Sequence, residues 1–267
     1  MSAERFTGVE DTLFIPLAAR VKMSRRFPEY FYDQKALDLE HLDQVRRINE
    51  QSSEYSAIAS VARYYNMDQF ALTFLNENKN GIIINLGVGL ESMNYRIARP
   101  DTHFYAVDFP KVIDARRAIL GEAPNETLIG CDVTDMKWTE QVDVAKPSLL
   151  VVSGVFQYFK ENVVFQFIKD VQQIFKQAEM VFDATNEVGI KYAQKYVKKT
   201  GNTSAMMYFY INEAEKFVQQ AGVDLIETRG FYDVARKMIG KKTRFYTRIA
   251  MKVADDKKRT ILLHVKL

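Results

Sequence analysis

Cysteine is nearly missing from this chain of 267 residues, with Cys131 the only one. A single thiol excludes an intrachain disulfide framework, and a reducing, cytoplasmic setting is the expectation. Glycine and proline are sparse, at 12 and 6, and no repeat, low-complexity tract or Pro/Gly-rich linker interrupts the chain. Residues 1–267 are therefore expected to form one domain. The longest apolar runs, around Ile82–Leu86 and Leu149–Phe156, fall far short of the ~20 residues that span a bilayer. The start, MSAERFTGVED, has neither the basic head nor the apolar stretch of a secretory leader. Charge of one sign is lacking too. The 37 basic and 34 acidic residues leave a net +3, which is no electrostatic footprint for nucleic acid. Lys257-Lys258-Arg259, with acidic neighbours, reads as solvated surface.

What is present is enough apolar material, 47%, for one large core. The first eighty residues read as helical. Leu13, Leu17 and Val21 recur at helical spacing, as do Tyr55, Ile58, Ala59 and Ala62 within a helix from Ser53 to about Asn78. Beyond them, strands are predicted at Gly81–Leu86, His103–Asp108, Thr127–Gly130, Ser148–Ser153 and Glu179–Ala184. Helical patterns at Leu90–Ala98, Lys111–Leu120, Lys160–Gln177 and Asn186–Lys199 alternate with them. Such alternation predicts βαβ units and a doubly wound, mostly parallel sheet, here of seven strands under an N-terminal helical cap. Asn212 suits the N-cap of a helix over Glu213–Ala221 that Gly222 ends. Val223–Thr228 and Thr260–Lys266 supply two more strands. Arg244–Val253 mixes signals, and the spacing of Phe245, Ile249 and Val253 favours a helix.

The segment IIINLGVGLESMNYRI, Ile82–Ile97, runs a buried strand into Gly87-Val88-Gly89 and then a helix. Two residues without Cβ let the chain turn tightly and let a ligand lie against the main chain, although such a pair also serves simple tight turns. The following strand ends in Asp108, twenty-one residues after Gly87. An acidic residue there either accepts hydrogen bonds from ribose hydroxyls or caps the helix near Lys111. A pyrophosphate cofactor asks for a third glycine where Ser92 stands, which weakens NAD and FAD. S-adenosylmethionine needs only the first two glycines. Gly130-Cys131-Asp132-Val133 closes the next strand, and Asp132 there either meets an adenine amino group or caps a turn.

These segments, with TLFIPLAARVKMSRRFPEYFYDQKA, VDFPKVIDARRAIL, SGVFQYFKEN and TILLHVKL, resemble the leucine carboxyl methyltransferase family, and more narrowly its bacterial polyketide O-methyltransferase branch. The resemblance implies a class I, Rossmann-like methyltransferase fold and S-adenosylmethionine as cofactor. It implies that Gly87 and Gly89 pass beneath the methionine portion, that Asp108 holds the ribose and that Asp132 and Val133 meet the adenine. Arg63, read alone as one charge on a mostly apolar helix, matches a family arginine that pairs with the cofactor carboxylate. Arg20 falls near a second basic position of similar role. Ser153 stands where the family has a cofactor-binding glutamate, and Glu91-Ser92-Met93 replaces its Asp-Thr-Arg, leaving Arg96 as a structural salt-bridge residue.

The expected chemistry is methyl transfer to a carboxylate or hydroxyl oxygen of a small molecule. An ionised carboxylate needs no general base, whereas a phenol needs one. The three histidines, His41, His103 and His264, suit structural roles and lack metal-ligand spacing, so no metal site is expected. No Gly-x-Ser-x-Gly elbow is present. The insertion at about 186–212 carries Met206, Met207, Tyr208, Phe209 and Tyr210, which suit an apolar substrate pocket or ordinary core. Tyr158, past a strand end, is a further substrate contact candidate. Two alternatives stay open: methylation of a protein C-terminal carboxylate, and a cofactor-binding protein with reduced or lost catalysis.

Overall fold

The computed structural model describes residues 13–199 and 206–267, so the start MSAERFTGVEDT and part of the expected insertion lie outside the described residues. Helices α1 (Phe14–Arg26), α2 (Gln34–Leu37), α3 (Asp43–Gln51) and α4 (Glu54–Glu77) come first. Strand β1 (Ile82–Leu86), helix α5 (Met93–Ile97), strand β2 (Phe104–Asp108), helix α6 (Pro110–Leu120), strand β3 (Glu126–Gly130) and strand β4 (Ser148–Val152) follow. Then come α7 (Glu161–Ile174), β5 (Ala178–Thr185), α8 (Glu187–Lys199), α9 (Ala214–Ala221), β6 (Asp224–Gly230), α10 (Asp233–Ile239), α11 (Phe245–Asp256) and β7 (Thr260–Lys266).

All seven strands join one sheet in the order β3-β2-β1-β4-β5-β7-β6. The first five pair in parallel, while β7 runs antiparallel to both β5 and β6. Period-two alternation divides the core between the two faces. Ile82, Ile84 and Leu86 of β1 pack with Trp138, Phe156 and Phe182 on one side. Ile83 packs with Phe104, Leu149 and the α4 residues Val61 and Phe70 on the other. Helix α4 opens on Ser53, whose hydroxyl accepts from the Ser56 amide at 3.1 Å. No helix among the described residues is long and apolar enough to cross a membrane.

Two helices differ from the sequence reading for a reason their contacts show. The helix expected from Leu90 to Ala98 covers only Met93–Ile97. Its first turn is pulled out of helical geometry because the carbonyls of Leu90 and Glu91 accept from Arg20 and Arg116. Its far end closes on Ala98 at φ 44°, just before Arg99-Pro100, a pair that resists further helix. The residue before α9 is Glu213 rather than Asn212. The Asn212 side chain instead accepts from the Glu187 amide at 3.1 Å, serving the start of α8, and α9 begins one residue late.

Candidate functional site

A cavity of about 1080 Å³ runs along the carboxyl ends of the strands, slightly above the usual span for small-molecule sites, about 300–1,000 Å³. Its floor comes from the residues that end β1, β2, β4 and β5 and open β7: Gly87, Asp108, Ser153, Asp183, Thr185 and Thr260. Helices α1 and α4 wall one side through Arg20, Ser60 and Arg63. Helices α8 and α11 wall the other through Tyr192, Phe245 and Ile249.

Gly87 and Gly89 adopt φ of +62° and +51°, a region that residues with a Cβ rarely occupy. At Gly87 a Cβ would also meet Val155 Cγ2 at 2.3 Å, so the turn tolerates no side chain there. The Gly89 amide donates to Asp108 Oδ2 at 2.8 Å and the Phe109 amide to Oδ1 at 2.7 Å. Asp108 therefore locks the glycine turn to the end of β2. These two elements form the cavity end at which the sequence expected a ribose-bearing ligand.

Beneath the turn lies a buried charge network. Arg20, 1% exposed, donates to Asp33 at 3.0 Å, to the Ser92 hydroxyl and to the Leu90 carbonyl. Ser92, at the position of the missing third glycine, donates to Asp33 at 2.6 Å. Arg96 makes a two-point contact with Asp68, at 2.7 and 2.8 Å, and reaches Glu91 and Asp33. Burial opposes ionisation of Asp33 and Glu91, yet the two guanidiniums outweigh it and hold both below the usual carboxylate range. Asp68 is pushed up to about 6, mainly by burial and further by Glu91 and Asp33, against the pull of Arg96. Arg20, expected on the cofactor carboxylate, does line the cavity, but two of its bonds, to Leu90 and Ser92, brace the segment after the glycine turn, and a third goes to Asp33.

Arg63 projects from α4 into the cavity and pairs with Asp183 of β5 at 3.3 Å. Burial disfavours the Arg63 charge, and Asp183 together with Tyr64 more than offsets this, raising its pKa. Asp183 also accepts from the Gly154 amide at 2.6 Å. Val152 pairs with Phe182, so Ser153 and Asp183 follow side by side at the ends of adjacent strands. The Ser153 hydroxyl is buried without a hydrogen-bond partner, as is Arg63 Nε. Sequence reading passed over Asp183; the available signal was an acidic residue inside the apolar strand MVFDAT.

The remaining predicted positions divide. Val133, Tyr158 and Met207 line the cavity, whereas Asp132 and Tyr208 do not. The Asp132 carboxylate accepts from the Thr134 amide and hydroxyl, at 2.9 and 2.8 Å, which is the turn-capping alternative. From Met206 to Tyr210 burial alternates. Met207 and Phe209 point in, and Met206, Tyr208 and Tyr210 are exposed. One residue of that cluster thus faces the cavity, another joins the main core, and Tyr208 faces away. Arg259, read as solvated surface, is half-buried on the cavity wall. None of the three histidines lines the cavity.

Strand order, an antiparallel seventh strand and a ligand-sized cavity at the strand ends together define a class I methyltransferase fold. Solved structures share it. A DUF574 family protein from Streptomyces avermitilis superposes with a TM-score of 0.58 at 13% identity, covering 93% of this chain and 96% of that one. Magnesium protoporphyrin IX methyltransferase from Synechocystis, with bound SAH, gives 0.52 at 14% identity, over 88% and 99%. At the family level, the leucine carboxyl methyltransferase model matches residues 9–172, and the chain belongs to that family. Over 204 residues it is 28% identical to the tetracenomycin polyketide synthesis O-methyltransferase TcmP of Streptomyces glaucescens, covering 74% of this chain and 75% of that protein.

Proposed function

We propose that this protein is an S-adenosylmethionine-dependent O-methyltransferase that acts on a carboxylate or acidic hydroxyl of a small apolar molecule. The observation that carries the reading is one continuous cavity. It joins the glycine turn and Asp108 at one end to a chamber walled by Tyr192, Phe245 and Ile249 at the other. Family membership and the likeness to TcmP support the same chemistry.

The cofactor end fits the donor. Gly87 and Gly89 keep the floor free of side chains, Asp108 is held at the β2 terminus for a ribose, and Val133 gives an apolar contact for an adenine. Arg63 Nε and the Ser153 hydroxyl are polar groups with nothing to bond in the protein, at the place where the amino-acid portion would lie. Arg63 is the cation for its carboxylate, and Arg20 contributes by fixing the Leu90 carbonyl and the turn.

S-adenosylmethionine, when bound, supplies a methyl group on a sulfonium that an anionic oxygen takes directly. The chain's own task is alignment and exclusion of water, worth roughly 7–11 kcal/mol where the fit is good. Among the described residues lining the cavity there is no His, Lys or Cys, and the carboxylates Glu91, Asp108 and Asp183 each accept from an arginine or a backbone amide. No free base faces the acceptor, which favours an oxygen already ionised on arrival. The apolar chamber favours a small molecule over a peptide C-terminus. We read residues 1–267 as one domain working in a reducing, cytoplasmic compartment, with residues 1–80 as its cap.

Calorimetric titration with S-adenosylmethionine and S-adenosylhomocysteine, with NAD as control and Asp108→Ala alongside, tests the reading. Binding of both sulfur compounds, lost in the variant and not seen with NAD, is expected. A protein that binds neither is not a methyltransferase.

A further inference from the structure

Four strand steps separate the two ends of the cavity, from Asp108 on β2 to Thr260 on β7, a distance of roughly 19 Å at about 4.8 Å per step. The glycine turn, Asp108 and Ser153 occupy the β2-β1-β4 portion. The β5-β7 portion is left over, and its polar groups are of a different kind.

Among the described residues, three arginines line the cavity. Arg20 is paired with Asp33 and Arg63 with Asp183. Arg259 has no carboxylate partner among the described residues, and its guanidinium lies over the Tyr192 ring, 5.4 Å from the centroid. Beside it, Thr185 and Thr260 face each other across β5 and β7, and both hydroxyls are buried without a hydrogen-bond partner. A native protein rarely leaves buried hydroxyls unmet, and two of them on the cavity wall that also carries a cation without a carboxylate ask for an anion.

The backbone there is built to close tolerance. The Arg259 carbonyl accepts from the Asn186 amide at 3.2 Å, and its own amide donates to the Ala254 carbonyl at 2.8 Å. A Cβ at Gly189 would lie 2.3 Å from the Arg259 carbonyl oxygen, so α8 approaches this segment as closely as a helix without a side chain can. Along the same cavity wall, Tyr192 and Phe245 are 60% and 69% exposed, and Tyr246 and Ile249 are also exposed. Large apolar groups left open at the rim of a cavity mark a binding surface for an apolar body.

We propose that Arg259, with Thr185 and Thr260, forms an acceptor-side anion subsite, and that the acceptor is a planar aromatic acid. Its ring system lies against Tyr192, and one ionised oxygen group is held by the guanidinium. This rests on the methyl-transfer reading for the role of the ligand as acceptor, but the subsite itself is testable without turnover. Arginine suits the task because its planar fork engages two oxygens while stacking on an aromatic face.

The test measures binding of 2-naphthoate and 2-naphthamide to the protein, alone and saturated with S-adenosylhomocysteine, by calorimetry. Arg259→Met and Arg259→Lys are compared with wild type after their unfolding midpoints are checked. In wild type the acid is expected to bind more tightly than the amide. Arg259→Met should weaken the acid by about tenfold or more, as loss of a charge-assisted hydrogen bond implies, and leave the amide unchanged. Arg259→Lys should fall between. Equal affinity of the two probes in wild type, an equal loss for both in Arg259→Met, or no binding of either probe overturns the proposal. If the acid binds through Arg259 while S-adenosylhomocysteine does not bind at all, the subsite stands and the methyl-transfer reading falls.

Discussion

Arg63 and Asp183 lie 120 positions apart in sequence and meet at 3.3 Å on the wall of the cavity, where Asp183 also accepts from the Gly154 amide. Helix α4, β4 and β5 are thereby tied together at the proposed cofactor end. Asp183 stands beside Ser153, so a carboxylate is still present next to the position where the family's glutamate is replaced.

Asp183→Asn keeps an acceptor for Gly154 but leaves the largely buried Arg63 without its counter-charge. Removing one partner of a buried pair costs on the order of 3 kcal/mol, and somewhat less here because Arg63 keeps some exposure. Chemical denaturation should show that loss, and calorimetry should show S-adenosylmethionine binding weakened at least about tenfold by the misplaced arginine. Unchanged affinity would assign Asp183 to stability alone.

Two glycines at positive φ should behave differently. Gly87→Ala adds a methyl that meets Val155 at 2.3 Å, in addition to its left-handed strain. Gly222→Ala, at φ +67° beyond α9, meets nothing within 4 Å. The second change should cost about 1–2 kcal/mol, the strain alone. The first should cost more and abolish cofactor binding, as urea unfolding and titration of both variants will show.

Asp68 sets a pH dependence. The folded protein holds its proton up to about pH 6, while the unfolded chain releases it near 3.8. The folded state thus binds more protons in that window, and stability falls as pH rises through it, by roughly 3 kcal/mol at most. Asp33 and Glu91, held low by Arg20 and Arg96, act in the opposite sense and lose their contribution as acid protonates them. Comparing wild type with Asp68→Asn between pH 4 and 6 isolates the first effect. The wild-type advantage should shrink with rising pH, and a pH-independent difference would contradict the assignment.

At Gly189, helix propensity and packing oppose one another. In an open helix, Gly→Ala stabilises by about 1 kcal/mol. Here the added methyl would lie 2.3 Å from the Arg259 carbonyl and 3.0 Å from Thr185 Cβ, so Gly189→Ala should destabilise. It should also displace α8 enough to weaken 2-naphthoate binding. Thermal unfolding and the same titration give both readouts.

The strands were legible to within about two residues. Buried parallel strands are short unbroken apolar runs, and turn residues bound them on each side. Helix α11, ambiguous as a stretch of β-branched and aromatic residues, showed its class through the spacing of Phe245, Ile249 and Val253. Legibility failed where a residue's partner is far along the chain. Arg20 and Arg116 unwind the start of α5 from 70 and 25 residues away, and Asn212 serves α8 rather than α9. Arg259 looked like one of three surface cations because its neighbours Lys257 and Lys258 are exposed, while Gly189 and Tyr192, which frame it, belong to another helix. Gly87 and Asp108 could be paired from spacing alone, whereas Asp183 needed the register of β4 with β5 to be noticed.

Strand β7 is the seventh in chain order yet sits inside the sheet, between β5 and β6. During synthesis, β5 and β6 leave the ribosome with facing edges and nothing between them. Until residues 260–266 emerge, each is an unpaired template for a neighbouring chain. Any pause or premature stop just before Thr260 therefore hands chaperones and proteases a chain in which the β5 edge is open and β6 has no strand to pair with.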